Sequence, residues 1–117
     1  MVKQLSIHTS GRGLHDVTAQ VAALVRQAGV DDGLCTLFIR HTSASLIIQE
    51  NADPTAKHDL ERWLNDMPAH IRAALTATSL AIPIVHGKLG LGTWQGIYLC
   101  EHRRRGGERE LLVHVAA

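Results

Sequence analysis

Short apolar runs separated by short turns fill the second half of this chain, and they restrict its fold more than any other feature. The runs "SLAIPIV", "TWQGIYLCEH" and "ERELLVHV" have the length and the bulky apolar residues of buried strands. The clearest turns, "HGK" and "RRRGG", are shorter than the crossover that joins two parallel strands. The pattern therefore predicts mainly antiparallel sheets.

The first half of the chain changes from one periodicity to another. The alternation from Val2 to Ile7 predicts a first strand, and "GLCTLFIR" and "ASLIIQE" predict two more. Between residues 14 and 28 the apolar residues recur at spacings of three and four, which predicts a helix that ends at Gly29. Asp53 and Pro54 form a helix-start signal. The helix that they begin would bury Leu60, Trp63 and Leu64, and a further helical piece from Pro68 would bury Ile71, Ala74 and Leu75.

The order of these elements indicates the class of fold. It predicts an α+β protein, a compact and sandwich-like single domain of mainly antiparallel sheets with two or three helices, rather than a doubly wound parallel sheet. A chain of 117 residues with 45% hydrophobic content is large enough for one core. We therefore expect one domain over residues 1–117.

The charge, the cysteines and the N-terminus argue against several classes of protein. The formal net charge of +1 gives no overall basic footprint for nucleic acid, and Arg103–Arg105 is better explained as a solvated turn. Cys35 and Cys100 lie in separate apolar runs without a CxxC partner, which is typical of buried free thiols in a reducing compartment. The first residues resemble neither a signal peptide nor an anchor. We expect a cytoplasmic protein that binds neither nucleic acid nor a membrane.

The common catalytic motifs do not occur in the sequence. The phosphate loop GxxxxGK[ST], the dinucleotide-binding GxGxxG, the GxSxG of serine hydrolases and the HExxH of metalloproteases are all absent. The glycines of "GKLGLGTWQG" more simply serve turns at strand ends. Trp94 and Gln95 keep a second interpretation open, since an amide beside an indole suits a planar or polar ligand.

The stretch "HTSASLIIQENADP" surrounds an apolar strand with polar groups. His41 shares the core face of the preceding strand and should emerge where the core meets solvent, a typical place for a ligand-facing group. Ser43 can equally shape a turn, and Asp53 can cap a helix. His70 can bind a metal or share a proton, although a surface role is simpler. The candidates at the two ends of the strand are His41, Thr42, Ser43, Glu50, Asn51 and Asp53.

The two polar ends of this stretch lie too far apart to serve one small ligand. Six or seven extended residues separate them by roughly 20 Å at about 3.3 Å per residue. Either the chain bends here, or a subunit interface brings His41 of one copy near Glu50 and Asn51 of another. A Ser/His/Asp triad can also be drawn from these residues, although adjacency in sequence does not establish its geometry.

Four segments of the chain together resemble the YjbQ family, formerly an uncharacterised protein family of bacteria and archaea: "HTSASLIIQENADP", "DLERWL", "DMPAHIRAAL" and "LGLGTWQGIYLCEHR". The resemblance implies a compact α+β domain that assembles as a homotrimer. It also implies a secondary thiamine-phosphate synthase activity, in which a pyrimidine alcohol diphosphate is coupled to a thiazole phosphate and pyrophosphate is released. The expected partner is a small phosphorylated substrate.

The resemblance also implies roles for particular residues. His41, His70 and Glu50 would be catalytic, and His41 and His70 would hold a divalent metal, Mg or Zn. Departure of diphosphate needs such a metal or a cationic clamp, and an indole can stack on a heteroaromatic ring. The residues that would contact substrate are Thr42, Ser43, Asn51, Asp53, Asp59, Trp94, Gln95 and Glu101.

The chain departs from the family pattern in one connection. Relatives usually carry a longer loop between "DLERWL" and "DMPAHI", with a further histidine followed by an acidic, glycine-bearing segment. Here Leu64 is followed at once by Asn65, Asp66, Met67 and Pro68. The connection is either truly shorter, or the sequence omits residues that belong to it.

A truly shorter connection predicts weak metal binding and little synthase activity. Two imidazoles bind a transition metal less tightly than three, so the purified protein should hold well under one zinc per chain after dialysis. Elemental analysis by atomic emission measures this ratio. Tight stoichiometric zinc would contradict the prediction.

Two functions from different classes fit these features. The first is an enzyme, or the remnant of one, that acts on a small phosphorylated heterocycle. The second is a non-catalytic metabolite- or metal-binding trimer that uses the same pocket. In an enzyme, replacing His41 or His70 with alanine should abolish turnover while ligand affinity stays largely intact.

Overall fold

Eight strands and two helices make up the part of the chain that the computed structural model describes, residues 1–50, 54–67, 71 and 76–117. The strands are β1 (Val2–His8), β2 (Gly13–Asp16), β3 (Gly33–Ile39), β4 (Ala44–Glu50), β5 (Ser79–Val85), β6 (Lys88–Leu89), β7 (Gln95–Glu101) and β8 (Glu108–Ala116). The helices are α1 (Thr18–Ala28) and α2 (Pro54–Asn65). The predicted α+β class is confirmed. The further helical piece predicted from Pro68, and the Asp53 cap, lie outside the described residues apart from Ile71.

The strands form two antiparallel sheets that pack face to face. The larger sheet has the order β1-β8-β3-β5-β6, and the smaller has the order β2-β7-β4. Residues of both sheets, such as Leu37 and Val113 from the larger and Leu46 and Leu99 from the smaller, meet in one buried core. Each such side chain stabilises the fold by about 1.5–3 kcal/mol when it leaves water. The predicted sandwich-like arrangement is therefore correct.

The helix α1 covers one side of this core, and its predicted end is confirmed. Val21 and Val25 are buried, and Gly29 ends the helix in the left-handed conformation with φ 67°. The predicted start at Leu14 is wrong, because residues 13–16 form β2. Leu14 pairs with Cys100 of β7, so the backbone hydrogen bonds of a sheet outweigh a spacing that fits a helix by coincidence.

The strand β7 lies in the middle of the smaller sheet and is buried on both faces. Ile97 and Leu99 belong to the main core. Tyr98 and Cys100 point to the other side, where they pack against α2 through Leu64. Of the three residues predicted to be buried on α2, Leu64 is buried, Leu60 is partly buried, and Trp63 is 57% exposed, so the prediction is wrong for the tryptophan.

Both cysteines are buried and unpaired, as the sequence predicts. Burial raises the pKa of Cys35 to about 11 and that of Cys100 to about 12. Neither thiol therefore ionises at neutral pH, and both behave as small apolar side chains.

The turns that the sequence predicts are also present. His86 and Gly87, with φ 51° and 80°, form the tight turn between β5 and β6, where glycine accepts a positive φ without strain. Arg103–Arg105 is an exposed turn between β7 and β8, in agreement with the interpretation of this run as solvated. Across the described ranges, no helix is long and apolar enough to cross a membrane.

The sheets bring several chain segments to one end of the sandwich. Residues 9–13, 40–45 and 101–109 meet there, because Glu101 at the end of β7 pairs with Gly13 on one side and Ala44 on the other. His8 pairs with Glu108 at the same end. We call this part of the molecule the His41 end.

Candidate functional site

An open groove of about 580 Å³ lies at the His41 end. Small-molecule sites typically measure about 300–1,000 Å³, so the groove has the size of a metabolite site. Its polar side chains are a guanidinium, an imidazole and hydroxyl groups, which suit a polar or negatively charged ligand. The residues that line it are Phe38, Ile39, Arg40, His41, Thr42, Ala44, Ser45 and Thr78.

His41 is half-buried in this groove, and its ring has a defined hydrogen bond. The backbone N–H of Ser43 donates to His41 Nδ1 at 3.0 Å. Burial lowers the pKa of His41, the positive charges of Arg109 and Arg103 lower it further, and the charge of Glu101 opposes them. The imidazole is therefore neutral at pH 7, and because Nδ1 accepts a hydrogen bond, its proton lies on Nε2.

A buried ion pair stands behind this ring. The side chain of Glu101 is 0% exposed and that of Arg109 is 8% exposed, and Arg109 Nε donates to Glu101 Oε1 at 2.7 Å. Thr9 Oγ1 donates to the same oxygen at 2.6 Å, while the Arg103 backbone N–H donates to Oε2 at 3.3 Å. Burial alone would raise the pKa of Glu101, but these hydrogen bonds and the charge of Arg109 lower it below its ordinary value. Glu101 is therefore a charged carboxylate inside the protein.

A second set of hydrogen-bonded polar side chains joins the start of β4 to the residue that follows β7. Ser45 Oγ and His102 Nε2 lie 2.8 Å apart, and the Thr76 hydroxyl donates to Ser45 Oγ. The backbone N–H of His102 donates to the carbonyl oxygen of Ser43 at 3.0 Å. Ser43 is thus held from both sides, which fixes the position from which its own N–H orients His41.

The predicted site residues divide between the two ends of the smaller sheet. Thr42 is exposed and Ser43 is half-buried beside His41. Glu50 is exposed at the opposite end of β4, where it pairs with Gln95. β4 pairs with β7 over its whole length, so the chain does not bend, and the two ends stay roughly 20 Å apart.

The remaining candidates do not join the groove. Trp94 is 62% exposed, and Gln95 Oε1 accepts the N–H of Gly92 at 2.8 Å in a turn that precedes β7. Asp59 is exposed on α2. Asn51, Asp53 and His70 lie outside the described residues.

Glu101 is the candidate whose surroundings differ most from its predicted role. The sequence resemblance implies a contact with substrate, yet both carboxylate oxygens accept hydrogen bonds from the protein and the side chain has no exposed surface. The geometry favours a positioning role for Glu101, in which it fixes Arg109, Thr9 and the turn after β7.

Sequence reasoning missed Arg109, Thr9, Ser45 and His102. A signal for Arg109 exists in "ERELLVHV", because its alternation puts this charged residue on the same face as the buried Leu111, Val113 and Val115. A charged residue on the core-facing side of a strand needs a buried partner of opposite charge. No comparable pattern marks Thr9, which is buried although it follows the first strand in a glycine-rich segment.

The described residues do not fit a metal held by His41. Nδ1 accepts a hydrogen bond, so Nε2 carries the proton and has no lone pair for a metal. Over the described ranges, the one cluster of three possible ligands is Asp31, Asp32 and His86, all exposed. The two aspartates precede β3 and His41 follows it, so the length of that strand separates the cluster from the groove.

The fold and the groove together define a single-domain α+β protein with an open groove at one end of two packed antiparallel sheets. The chain belongs to the UPF0047 family of YjbQ-like proteins, whose family model matches residues 3–67 and 65–117. The resemblance inferred from the sequence motifs is therefore confirmed.

Relatives and solved structures agree with this assignment. A UPF0047 protein from Synechocystis is 52% identical over 130 residues, covering 96% of this chain and 88% of its own, and the UPF0047 protein YjbQ of Escherichia coli O157:H7 is 39% identical over 128 residues, covering 94% and 93%. A crystal structure from Clostridium acetobutylicum is 38% identical, with a TM-score of 0.91 and full coverage of both chains. A YbjQ-like protein of unknown function from Sulfolobus solfataricus has a TM-score of 0.85 at 25% identity, covering 98% of this chain and 96% of its own.

The comparison also bears on the short connection after α2. The two matched segments of the family model meet at residues 65–67. The alignment with the Synechocystis relative extends over 130 residues, more than the 117 of this chain. The relative therefore carries residues that this sequence lacks, and the junction of the two matched segments places the difference directly after α2.

Proposed function

We propose that this protein is a small-molecule enzyme that acts on a phosphorylated heterocycle, with secondary thiamine-phosphate synthase activity as the most specific form of the proposal. The observation that carries it is the groove at the His41 end, which has the volume of a metabolite and whose Arg40, His41 and Thr42 side chains can donate hydrogen bonds. A diphosphate or phosphate ester offers only acceptor oxygens and negative charge. The donors therefore suit the phosphate groups of such a ligand, while Phe38, Ile39 and Ala44 offer apolar surface for its ring.

The proposed reaction needs little from the protein beyond binding and charge stabilisation. The thiazole nitrogen attacks the methylene carbon of the pyrimidine, a carbon–nitrogen bond forms, and the carbon–oxygen bond breaks. The bonding electron pair leaves with the pyrophosphate, so negative charge develops on the leaving group. Hydrogen-bond donors fixed at that position lower the barrier, and mutational data put a single donor at about 10²–10³ in rate. His41 Nε2–H is such a donor.

A divalent metal, Mg or Zn, stays a prediction of the family resemblance. The hydrogen bond at His41 Nδ1 does not fit it, and His70 lies outside the described residues. The proposal therefore assigns the metal no step.

A homotrimer is part of the proposal, and two observations support it. Glu50, Gln95 and Trp94 lie at the end opposite His41, so they can serve the groove only from another copy. Leu34 and Phe38 are 44% and 46% exposed on the outer face of the larger sheet, and Phe38 also lines the groove. A subunit packed on this face would stand beside the site.

The second function, a non-catalytic metabolite-binding trimer, is favoured by the short connection after α2. If the connection is truly shorter than in the Synechocystis relative and the missing residues would have covered the groove, the site would bind substrate without excluding water from it. The same groove would then bind a phosphorylated metabolite without converting it.

An assay of pyrophosphate release separates the two functions. The purified chain is incubated with the pyrimidine diphosphate and the thiazole phosphate, and pyrophosphate and thiamine phosphate are measured. We expect weak turnover in the parent, in line with the short connection after α2, and a rate reduced about 10²-fold or more in His41→Ala because a transition-state donor is lost. The control His86→Asn changes an exposed histidine in the β5–β6 turn, where asparagine tolerates the positive φ, and it should keep full activity.

The outcomes of this assay are distinct. Binding of the diphosphate without turnover in the parent protein would support the non-catalytic function. An equal rate in His41→Ala and the parent would contradict the role of His41 in the groove.

A further inference from the structure

Arg109 and His41 lie at the same end of the β3–β8 strand pair. Ile39, the last residue of β3, pairs with Leu111 of β8, and the N–H of Arg40 donates to the carbonyl oxygen of Glu110 at 2.9 Å. His41 follows Arg40 directly, and Arg109 precedes Glu110 directly. The end of this strand pair therefore brings the two residues to the same part of the molecule.

Both residues also follow the core-facing phase of their strands. Arg109 lies two residues before the buried Leu111, and His41 lies two residues after the buried Ile39. Their side chains therefore leave the backbone toward the space between the two sheets, at the point where the core ends and the groove begins. Arg103 belongs to the turn after β7, and its N–H contacts the carboxylate that holds Arg109.

The guanidinium of Arg109 is fixed but not fully used. Its Nε donates to Glu101 Oε1 at 2.7 Å, and its Nη1 donates to the Glu108 carbonyl oxygen at 3.2 Å. Its Nη2 makes no hydrogen bond to any residue in the described ranges. An arginine that is almost removed from water and keeps unused N–H groups favours an anion, because charge-assisted hydrogen bonds are the strongest that a protein makes.

The charge around His41 also favours an anion over a cation. Two arginines, Arg109 and Arg103, contact the single carboxylate of Glu101 behind the ring, Arg109 through its guanidinium and Arg103 through its backbone N–H. The proton on Nε2 adds a donor and removes the lone pair that a metal would need. The two arginines and the Nε2–H group therefore attract an oxyanion, and they outnumber the one carboxylate, which already pairs with Arg109.

We propose that His41, Arg109 and Arg103 form an anion site for the diphosphate of the substrate, in which His41 donates through Nε2–H, the two arginines supply positive charge, and Glu101 fixes Arg109. This inference rests on the proposed function, since it names the part of the substrate that would be held beside His41; of the three residues, only His41 lines the groove itself. His41 is a diphosphate ligand here, and the metal that the family resemblance implies is not bound by it.

Binding of inorganic pyrophosphate, measured by isothermal titration calorimetry in magnesium-free buffer, tests the site. Replacing Arg109 leaves Glu101 unpaired and risks unfolding, so the exposed Arg103 is the better target. We expect Arg103→Gln to weaken binding about tenfold and His41→Ala about tenfold or more. Arg105→Gln is the matched control: it removes an exposed arginine of the same turn that does not act on His41, and its affinity should stay within about twofold of the parent.

A nuclear magnetic resonance experiment checks the tautomer directly. Long-range ¹H–¹⁵N spectra distinguish a protonated ring nitrogen from an unprotonated one. We expect His41 Nε2 to be the protonated nitrogen in the free protein, and its signal to shift on addition of pyrophosphate. A purely structural histidine would show no such shift.

These results also separate the anion site from the proposed function. Pyrophosphate binding that depends on His41 and Arg103, in a protein without synthase turnover, supports the anion site and contradicts the enzyme. Turnover with unchanged pyrophosphate affinity in both variants overturns the anion site and leaves the enzyme standing. Equal losses in Arg103→Gln and Arg105→Gln would also overturn it, because they would indicate general surface charge and not a built site.

Discussion

Replacing Glu101 with leucine is expected to lower the free energy of unfolding by about 3–5 kcal/mol, which is a large part of the stability of a domain of this size. Glu101 is fully buried and neutralises the almost buried guanidinium of Arg109. Without the carboxylate, that positive charge stays inside the protein without an opposite charge, and Thr9 Oγ1 loses the closer of its two acceptors and keeps only the Gly107 carbonyl oxygen at 3.3 Å. Urea unfolding followed by circular dichroism measures the change.

Two further variants show whether the unpaired charge of Arg109 causes the loss of stability in Glu101→Leu. Glu101→Leu combined with Arg109→Met removes both charges, so the double variant should be more stable than Glu101→Leu alone. Glu110→Gln is the matched control, because it removes a carboxylate that also pairs with an arginine, Arg40, but with both side chains about half exposed. That exposed pair should change stability by less than about 1 kcal/mol. A double variant as unstable as the single one would indicate lost packing and not an unpaired charge.

The same ion pair gives the stability a defined dependence on pH. The pKa of Glu101 lies below its ordinary value in the folded protein and returns to about 4.3 on unfolding. The unfolded chain therefore binds this proton at a higher pH than the folded chain does. The stabilisation by Glu101 is complete above the unfolded pKa and is lost as the pH falls through the folded pKa. The difference in the free energy of unfolding between the parent and Glu101→Leu should therefore become smaller below about pH 4.3.

The sequence predicted most of the fold because the signals of its elements are local. Each of these signals lies within a few neighbouring residues: the alternation in β8, the apolar runs of β3 and β4, and the glycine at the end of α1. Leu14 shows where such reasoning fails, since its spacing from Val17 and Val21 fits a helix, while its pairing with Cys100 comes from a strand more than eighty residues away in the chain. The local spacing of apolar residues cannot predict that a segment will pair with a strand far away in the sequence.

The positions of the candidate residues, as distinct from their roles, were predicted in part, and for a similar reason. The phase of His41 in its strand was enough to place it at the end of the core, and the length of β4 was enough to separate it from Glu50. The hydrogen bond that sets its tautomer depends on the turn at Ser43, and the charge beside it depends on Arg109 of the last strand. The composition of "HTSA" therefore indicates a polar site, whereas its electrostatics follow only from the assembled sheets.

The turn that holds the Glu101 network has one position where an added methyl group should be especially disruptive. A Cβ at Gly106 would overlap the carbonyl oxygen of Thr9 and would lie 2.6 Å from Thr9 Oγ1. Thr9 cannot move away easily, because it is buried and its N–H donates to the Gly107 carbonyl oxygen at 2.9 Å. Gly106→Ala must therefore displace the turn or the Thr9 segment and break the hydrogen bond from Thr9 to Glu101.

We expect Gly106→Ala to lower the free energy of unfolding by about 2–4 kcal/mol, since an overpacked methyl group and a lost hydrogen bond to a charged acceptor act together. Gly107→Ala is the matched control one residue further on, where the new Cβ would lie 3.1 Å from Arg109 Nη1, so the guanidinium need move by only a few tenths of an ångström and no backbone atom is overlapped. Urea unfolding of both variants under the same conditions makes the comparison. A loss in Gly107→Ala as large as that in Gly106→Ala would show that the turn tolerates no side chain at all, and the close approach of Thr9 would then not be the cause.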